Sequence, residues 1–193
     1  MVSPADGSVN LRLGLPEQPE LAGCAVEYVV GVGVTLSAEL IVTNKSGMPL
    51  KFENCLHTYL TVGDINAVSV VGLKGVDYLD SLESRKRKTE ADDAIRFADE
   101  VDRIYIDSPQ VVEIRDDVIR RVIRVEKEHS SSTVVWNPWI AKAKAMSDYG
   151  DDEYQRMVCV ESGNVAVNEV TLPSGGTSCL KIKLSSAAIS QPA

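Results

Sequence analysis

The sequence predicts an all-β fold, a sandwich of short strands. Three observations point there. About ten short runs rich in Val, Ile, Leu and Tyr recur at close spacing, with Gly, Asn, Asp and Ser between them. Several of those runs alternate apolar and polar residues with a period of two, the signature of a strand with one buried face. Helical periodicity is scarce: only residues 141–146 suit one or two turns of helix.

In chain order, Asp6-Gly7 reads as a turn and Val9 to Leu15 as a strand. Leu36, Ala38, Leu40 and Val42 alternate with Ser37, Glu39, Ile41 and Thr43, and Asn44-Lys45-Ser46-Gly47 supplies a turn. The segment that follows continues the alternation. Leu50, Phe52, Leu56, Leu60 and Val62 fall on one face, and Glu53, Cys55, His57, Tyr59 and Thr61 on the other. These two strands, joined by so short a turn, are expected to form a hairpin.

Val68 to Leu73, Ile95 to Phe97 and Val101 to Ile106 are further strand-like runs. Val111 to Ile114 and Val118 to Val125 flank Asp116-Asp117, read as a hairpin turn. Val134 to Trp136, Met157 to Glu161, Val165 to Leu172 and Leu180 to Leu184 complete the set. A chain of 193 residues suits one domain, placed at residues 1–184, with the small polar residues 185–193 as a flexible tail.

Charge excludes some partners. The formal net charge is −8, which argues against nucleic acid or an anionic membrane, because both require a basic surface. No apolar run approaches the ~20 residues of a membrane-spanning helix, and the first residues lack the pattern of a secretory signal. A cytoplasmic setting is expected. Cys24, Cys55, Cys159 and Cys179 match no zinc template. They read as reduced thiols, with Cys55 and Cys159 acting as small hydrophobes inside strands.

Several residues could carry chemistry. His57, one of 2 histidines, sits on the polar face of its strand, where it could exchange protons near neutral pH or act as a hydrogen-bonded structural residue. Glu161 ends an otherwise apolar run, so it either marks a strand emerging into solvent or has a polar task. Asp102, in Glu100-Val101-Asp102-Arg103, reads as a solvated neighbour of Arg103 or as a ligand for a hydroxyl group. Asp64, after Gly63, reads as a strand-end turn residue. Trp136-Asn137-Pro138-Trp139 offers aromatic faces of the kind that stack on sugar rings, or two core anchors around a turn. Arg85-Lys86-Arg87-Lys88 reads as a solvated loop or as an anion site, most simply for phosphate. His129 reads as an inert loop residue. Phosphate-binding loops, zinc-protease helices and serine-hydrolase elbows lack their local motifs.

Taken together, Leu56-His57-Thr58-Tyr59-Leu60-Thr61-Val62-Gly63-Asp64-Ile65, Gly72-Leu73-Lys74-Gly75-Val76-Asp77-Tyr78-Leu79-Asp80, Glu100-Val101-Asp102-Arg103-Ile104-Tyr105, Val134-Val135-Trp136-Asn137-Pro138-Trp139, Gly150-Asp151-Asp152-Glu153-Tyr154 and Met157-Val158-Cys159-Val160-Glu161 resemble the glucose-6-phosphate 1-epimerases of the aldose 1-epimerase superfamily. The resemblance implies a twisted β-sandwich of the galactose-mutarotase type. It implies an isomerase that interconverts the α and β anomers of a hexose 6-phosphate, with no metal and no organic cofactor. It also implies His57 and Glu161 as the catalytic pair, with Asp102 holding a sugar hydroxyl. Trp136 and Arg85 are added as candidate substrate ligands.

Family members extend further at the N-terminus, where arginines are expected to hold the phosphate. The sandwich is therefore expected to be incomplete on that side, with apolar surface and sheet edges left open. A non-catalytic sugar-phosphate-binding module, or an inactive fragment, is the alternative. The choice between monomer and dimer stays open.

Overall fold

The computed structural model describes residues 7–189, and these are built almost entirely of strands. In chain order they are β1 (Val9–Gly14), β2 (Cys24–Val32), β3 (Leu36–Asn44), β4 (Leu50–Phe52), β5 (Asn54–Leu56), β6 (Tyr59–Thr61), β7 (Val68–Val71), β8 (Asp77–Asp80) and β9 (Lys86–Thr89). There follow β10 (Ala94–Arg96), β11 (Val101–Ile106), β12 (Val111–Asp116), β13 (Arg121–Glu128), β14 (Ser132–Asn137), β15 (Met157–Asn164), β16 (Val170–Leu172) and β17 (Thr177–Ala188). One α-helix, α1 (Trp139–Ala145), follows β14.

The strands form two main sheets. The larger runs β1-β2-β3-β17-β13-β12-β7-β10, and the smaller runs β5-β15-β14-β11-β8-β9, with β6 also paired to β15. All pairings are antiparallel. Strands of this kind can bury one face and solvate the other, as the period-two alternation requires. Val70, Ile114 and Val125 of the larger sheet share one buried cluster with Tyr105, Val135, Val158 and Val160 of the smaller. Full burial of one such aliphatic side chain is worth roughly 1.5–3 kcal/mol, so this seam is the main source of cohesion. It uses one face of the smaller sheet only, which leaves Asp102, Trp136 and Glu161 on the opposite face.

Buried polar groups close the gaps. Glu90 accepts hydrogen bonds from Tyr105 Oη at 2.6 Å and Arg103 Nη1 at 2.7 Å, and Arg103 lies 4.9 Å above the Tyr78 ring. Burial and the bond to Glu90 both push the Tyr105 phenol upward from its ordinary value. Asp116 is fully buried and accepts from the backbone amides of Gly63, Val118 and Ile119.

The expected fold class holds, but several local readings need correction. The predicted hairpin of 36–43 with 50–62 does not form. Both edges of β3 are occupied, by β2 and β17, while β4 pairs with β16 and β5 with β15. The Asn44 turn itself is present, with the Asn44 Oδ1 accepting from the Ser46 amide. The single strand expected at 50–62 is three short strands. Its alternation survives, because Val62 is buried and Leu60 packs on the core while Cys55, His57 and Tyr59 face the other way.

The turn read at Asp116-Asp117 spans 117–120, and Asp116 ends β12. Of the run 165–172 only the last three residues are strand. The basic run Lys86 to Lys88 is an edge strand rather than a loop. Its side chains meet acids: Arg87 pairs with Asp77, Lys86 with Glu83, and Lys88 with both Asp80 and Glu83. The tail expected from 185 is sheet as far as Ala188, hydrogen-bonded to β13. The Asp6 end of the first turn and residues 190–193 lie outside the described residues. The strand expected at Val9 is β1, at the edge of the larger sheet, and Val9, Leu11 and Leu13 are 40%, 46% and 48% exposed.

Candidate active site

Two cross-strand rows on the outer face of the smaller sheet build the site. Asp102 on β11 stands opposite Trp136 on β14, Trp136 opposite Cys159 on β15, and Cys159 opposite Tyr59 on β6. Two residues along, Ile104 faces Val134 and Val134 faces Glu161. The last place in this second row belongs to His57. β5 pairs Leu56 with Ser162 and β6 pairs Tyr59 with Cys159, so one step inward from Leu56 sets His57 opposite Glu161. Directly opposite residues in an antiparallel pair bring their Cβ atoms to about 5 Å, close enough for the two side chains to touch. The chain loses strand geometry at His57 and Thr58, between the two short strands.

His57 Nδ1 lies 3.2 Å from Glu161 Oε1. The environments of the two groups differ sharply: the His57 side chain is 67% exposed and the Glu161 side chain 6%. The reading of Glu161 as a residue emerging into solvent is therefore corrected. Its strand is buried along its whole length. Burial pushes the Glu161 carboxyl above the usual carboxylate range, and nearby Asp102 adds to that; His57 and the thiols of Cys55 and Cys159 work against it. Cys55 Sγ donates to Glu161 Oε2 across 3.6 Å. Both thiols are raised well above their ordinary value, first by burial and then by Glu161. They act as polar partners of Glu161 and not merely as the small hydrophobes the sequence suggested. All four cysteines are free.

These residues line a cleft of about 380 Å³ formed by His57, Tyr59, Asp102, Val134, Trp136, Lys142, Met146 and Glu161. The aromatic wall is a chain of edge contacts. Tyr59 and Trp136 have ring centroids 6.0 Å apart at 75°, and Trp136 and Tyr149 6.5 Å apart at 68°. Lys142 and Met146 arrive from α1 and its C-terminal cap. Asn137 sets that helix in place. Its buried Nδ2 donates to the carbonyls of Tyr154 and Met157, and its Oδ1 accepts from the Trp139 amide at 2.9 Å. Trp139 adopts φ +55°, a conformation costing a non-glycine residue about 1–3 kcal/mol. The Asn137 bond and ring contact with Tyr154, centroids 5.3 Å apart, hold it there.

Of the five site residues expected from sequence, the fold brings together His57, Glu161, Asp102 and Trp136. Arg85 is left out. It lies in the turn entering β9, two strands beyond β11, and does not line the cleft. Trp139 turns away from the cleft and packs on the core. His129 lends only its carbonyl, to Asn164, and Asp64 caps a short turn through the Asn66 amide, as expected. Sequence reading set Tyr59 on the same open face as His57 without naming it a site residue, and it missed Lys142 and Met146. The alternation that placed Tyr59 beside His57 was the available signal for Tyr59. The other two lie in the 141–146 segment read as helix, but which face of so short a helix meets the cleft is set by its packing, not by its sequence.

The aldose 1-epimerase family model matches residues 10–185. The chain belongs to the aldose 1-epimerase family. A relative in Cenchrus ciliaris, provisionally named glucose-6-phosphate 1-epimerase, is 43% identical over 74% of this chain and 43% of its own length. One of the same provisional name in Escherichia coli K12 is 38% identical over 56% of this chain and 37% of its own. The chain thus spans less than half the length of these family members. Among solved structures, a protein of Salmonella typhimurium provisionally described as a mutarotase superposes with a TM-score of 0.84 at 28% identity, covering 94% of this chain and 61% of its own. A Synechocystis protein shares the fold alone, at TM-score 0.73 and 15% identity. The galactose-mutarotase-like sandwich is therefore the fold of this aldose 1-epimerase family member. Among the described residues no helix is long and apolar enough to cross a membrane.

Proposed function

We propose that this chain carries the proton-transfer centre of a mutarotase that interconverts the anomers of a hexose 6-phosphate. The observation that carries the reading is the pair His57–Glu161, 3.2 Å apart in a cleft that also holds Asp102, Trp136 and Lys142. Anomer exchange needs one group to protonate the ring oxygen while another takes the proton of the C1 hydroxyl. An imidazolium and a carboxylate are suited to those tasks near neutral pH. His57 donates to the ring oxygen through Nε2, since Nδ1 faces Glu161. Glu161 accepts from the C1 hydroxyl. The C1–O5 bond then breaks to leave an open-chain aldehyde. Rotation about C1–C2 turns the other face of the aldehyde to O5, and reclosure returns both protons.

Burial supports the role of Glu161, because a carboxylate held above its usual range is the stronger base. The same shift sets an acid limb. Protonated Glu161 cannot take the C1 hydroxyl proton, so the rate falls as pH drops through its raised pKa. Asp102, on the cleft wall, accepts from a ring hydroxyl in this reading, and Trp136 offers an aromatic wall to the sugar. Lys142 is the cation suited to the phosphate, in place of the Arg85 expected from sequence. The names of the Cenchrus and Escherichia relatives support hexose 6-phosphate as the substrate class.

The test is exchange NMR on the α and β anomers of glucose 6-phosphate. His57→Asn and Glu161→Gln should each lower the catalysed rate by roughly 10²–10⁴-fold, the usual worth of a positioned acid or base. Variants that match the parent rate would remove the assignment. Saturable quenching of Trp136 fluorescence with no rate enhancement would favour the binding module instead.

A further inference from the structure

We propose that Cys55, His57 and Glu161 form a three-ligand site for a thiophilic divalent cation, Zn²⁺ by preference, and that its occupation shuts off the proton-transfer pair. Cys55 Sγ, an imidazole nitrogen of His57 and a carboxylate oxygen of Glu161 all lie within 4.8 Å of one another. Two of the three separations are close to those around a tetrahedral ion. With Zn–S near 2.3 Å and Zn–N and Zn–O near 2.0–2.1 Å, neighbouring ligands stand about 3.3 Å apart for nitrogen with oxygen and about 3.5 Å for sulfur with oxygen. The structure has His57 Nδ1 at 3.2 Å from Glu161 Oε1, and Cys55 Sγ at 3.6 Å from Glu161 Oε2. The two contacts use different oxygens of the Glu161 carboxylate, so side-chain turns of Cys55 and Glu161 are what bring the three donors onto one ion.

Gly163 makes the cluster possible. It stands opposite Cys55 across β5 and β15, and a Cβ there would meet Asn54 O at 2.7 Å and Cys55 Sγ at 2.9 Å. Without that Cβ, the Cys55 side chain can lie over the strand toward Glu161. The donor set of one thiol, one imidazole and one carboxylate selects a borderline-soft ion over Mg²⁺ or Ca²⁺, which take oxygen ligands. Three protein ligands leave the fourth position free for water, on the side where His57 opens to the cleft.

Binding is balanced as an exchange. The Cys55 thiol loses its proton to solvent and the thiolate enters the metal shell, so affinity rises with pH. No electron moves. The ion takes His57 Nδ1 and the Glu161 carboxylate together. The inhibitory consequence rests on the proposed mutarotase reaction, whereas the metal site itself does not.

Co²⁺, titrated into the chain, gives a readout independent of turnover. The expected result is one tight site per chain with thiolate-to-cobalt charge-transfer absorption, displaced by Zn²⁺. Cys55→Ser should remove the charge-transfer band, and His57→Asn should weaken binding at least tenfold. The double variant Cys24→Ser/Cys179→Ser should keep both. Absence of the band in the parent would overturn the site, and so would a band that survives Cys55→Ser but is lost in Cys159→Ser. Where anomer exchange is measurable, Zn²⁺ should lower the parent rate and a chelator restore it. The ratio of rates with and without Zn²⁺ should return to near one in Cys55→Ser. A metal-binding chain with no turnover would keep this site and fail the proposed function; turnover indifferent to Zn²⁺ in a chain that binds it would overturn the shut-off and keep the reaction.

Discussion

Lys127 is a buried cation with no carboxylate partner among the described residues, and its removal should change how stability depends on pH. It is 4% exposed, and its Nζ donates only to Ser108 Oγ at 2.6 Å and the Ser132 carbonyl at 3.0 Å. Burial lowers its pKa from the ordinary 10.5 to about 8. The folded state therefore binds this proton less tightly than the unfolded chain does. At about 1.4 kcal/mol per pH unit, the gap amounts to a penalty of about 3 kcal/mol. The penalty is fully present below pH 8 and is relieved as pH rises from there toward 10.5.

Lys127→Met keeps most of the length of the side chain and removes the charge. Its partners are not orphaned, because Ser108 Oγ also bonds Thr133 Oγ1 and the Ser132 carbonyl also accepts from Ser130 Oγ. Urea melts of parent and variant should be compared at pH 7, 8, 9 and 10. Tyrosines and the other thiols titrate alike in both proteins, and Cys55, the thiol that senses the Lys127 charge, is raised well above this pH range, so the difference between them isolates Lys127. The parent should gain about 2–3 kcal/mol on the variant between pH 7 and pH 10. A difference that stays flat within about 0.5 kcal/mol would refute the argument that burial depresses this lysine.

Three further perturbations bear on the fold and the cleft. Gly163→Ala pushes a Cβ against the Asn54 carbonyl and Cys55 Sγ; it should cost about 1–3 kcal/mol in a urea melt and lower anomer exchange by displacing β5 from Glu161. Glu90→Ala leaves the buried Tyr105 hydroxyl and the partly exposed Arg103 without their carboxylate, and a thermal melt should register a loss of about 2–4 kcal/mol with the cleft residues untouched. Lys142→Met should raise KM for glucose 6-phosphate several-fold while leaving KM for glucose nearly unchanged, measured by the same NMR exchange; equal effects on both sugars would remove Lys142 from phosphate binding.

What the sequence determined by itself was the buried and the open face of the strands whose residues alternate. Alternation with a period of two assigns side chains to a buried or an open side without reference to a partner, so β3, β11, β14 and β15 were legible in outline. So was the shared polar face of Cys55, His57 and Tyr59. Which strand lies beside which was decided by tertiary structure. Alternation is the same whichever neighbour supplies the hydrogen bonds, and the hairpin expected between β3 and the His57 segment gave way to pairings with β17 and β15. The strands β2, β8 and β9 went unread, and β9 shows why: an edge strand with mostly charged residues has no apolar rhythm to read.

The site follows the same division. His57 and Glu161 could be singled out as residue types, and the family resemblance named them together. Their 3.2 Å contact, however, depends on the register of two strands about a hundred residues apart in the chain. The burial that raises Glu161, the thiol of Cys55 at its side and Lys142 across the cleft depend on the same packing. A sequence carries the identity of a charged group, but its solvent and its neighbours, which set its proton affinity and its ligands, exist only once the sheets have closed.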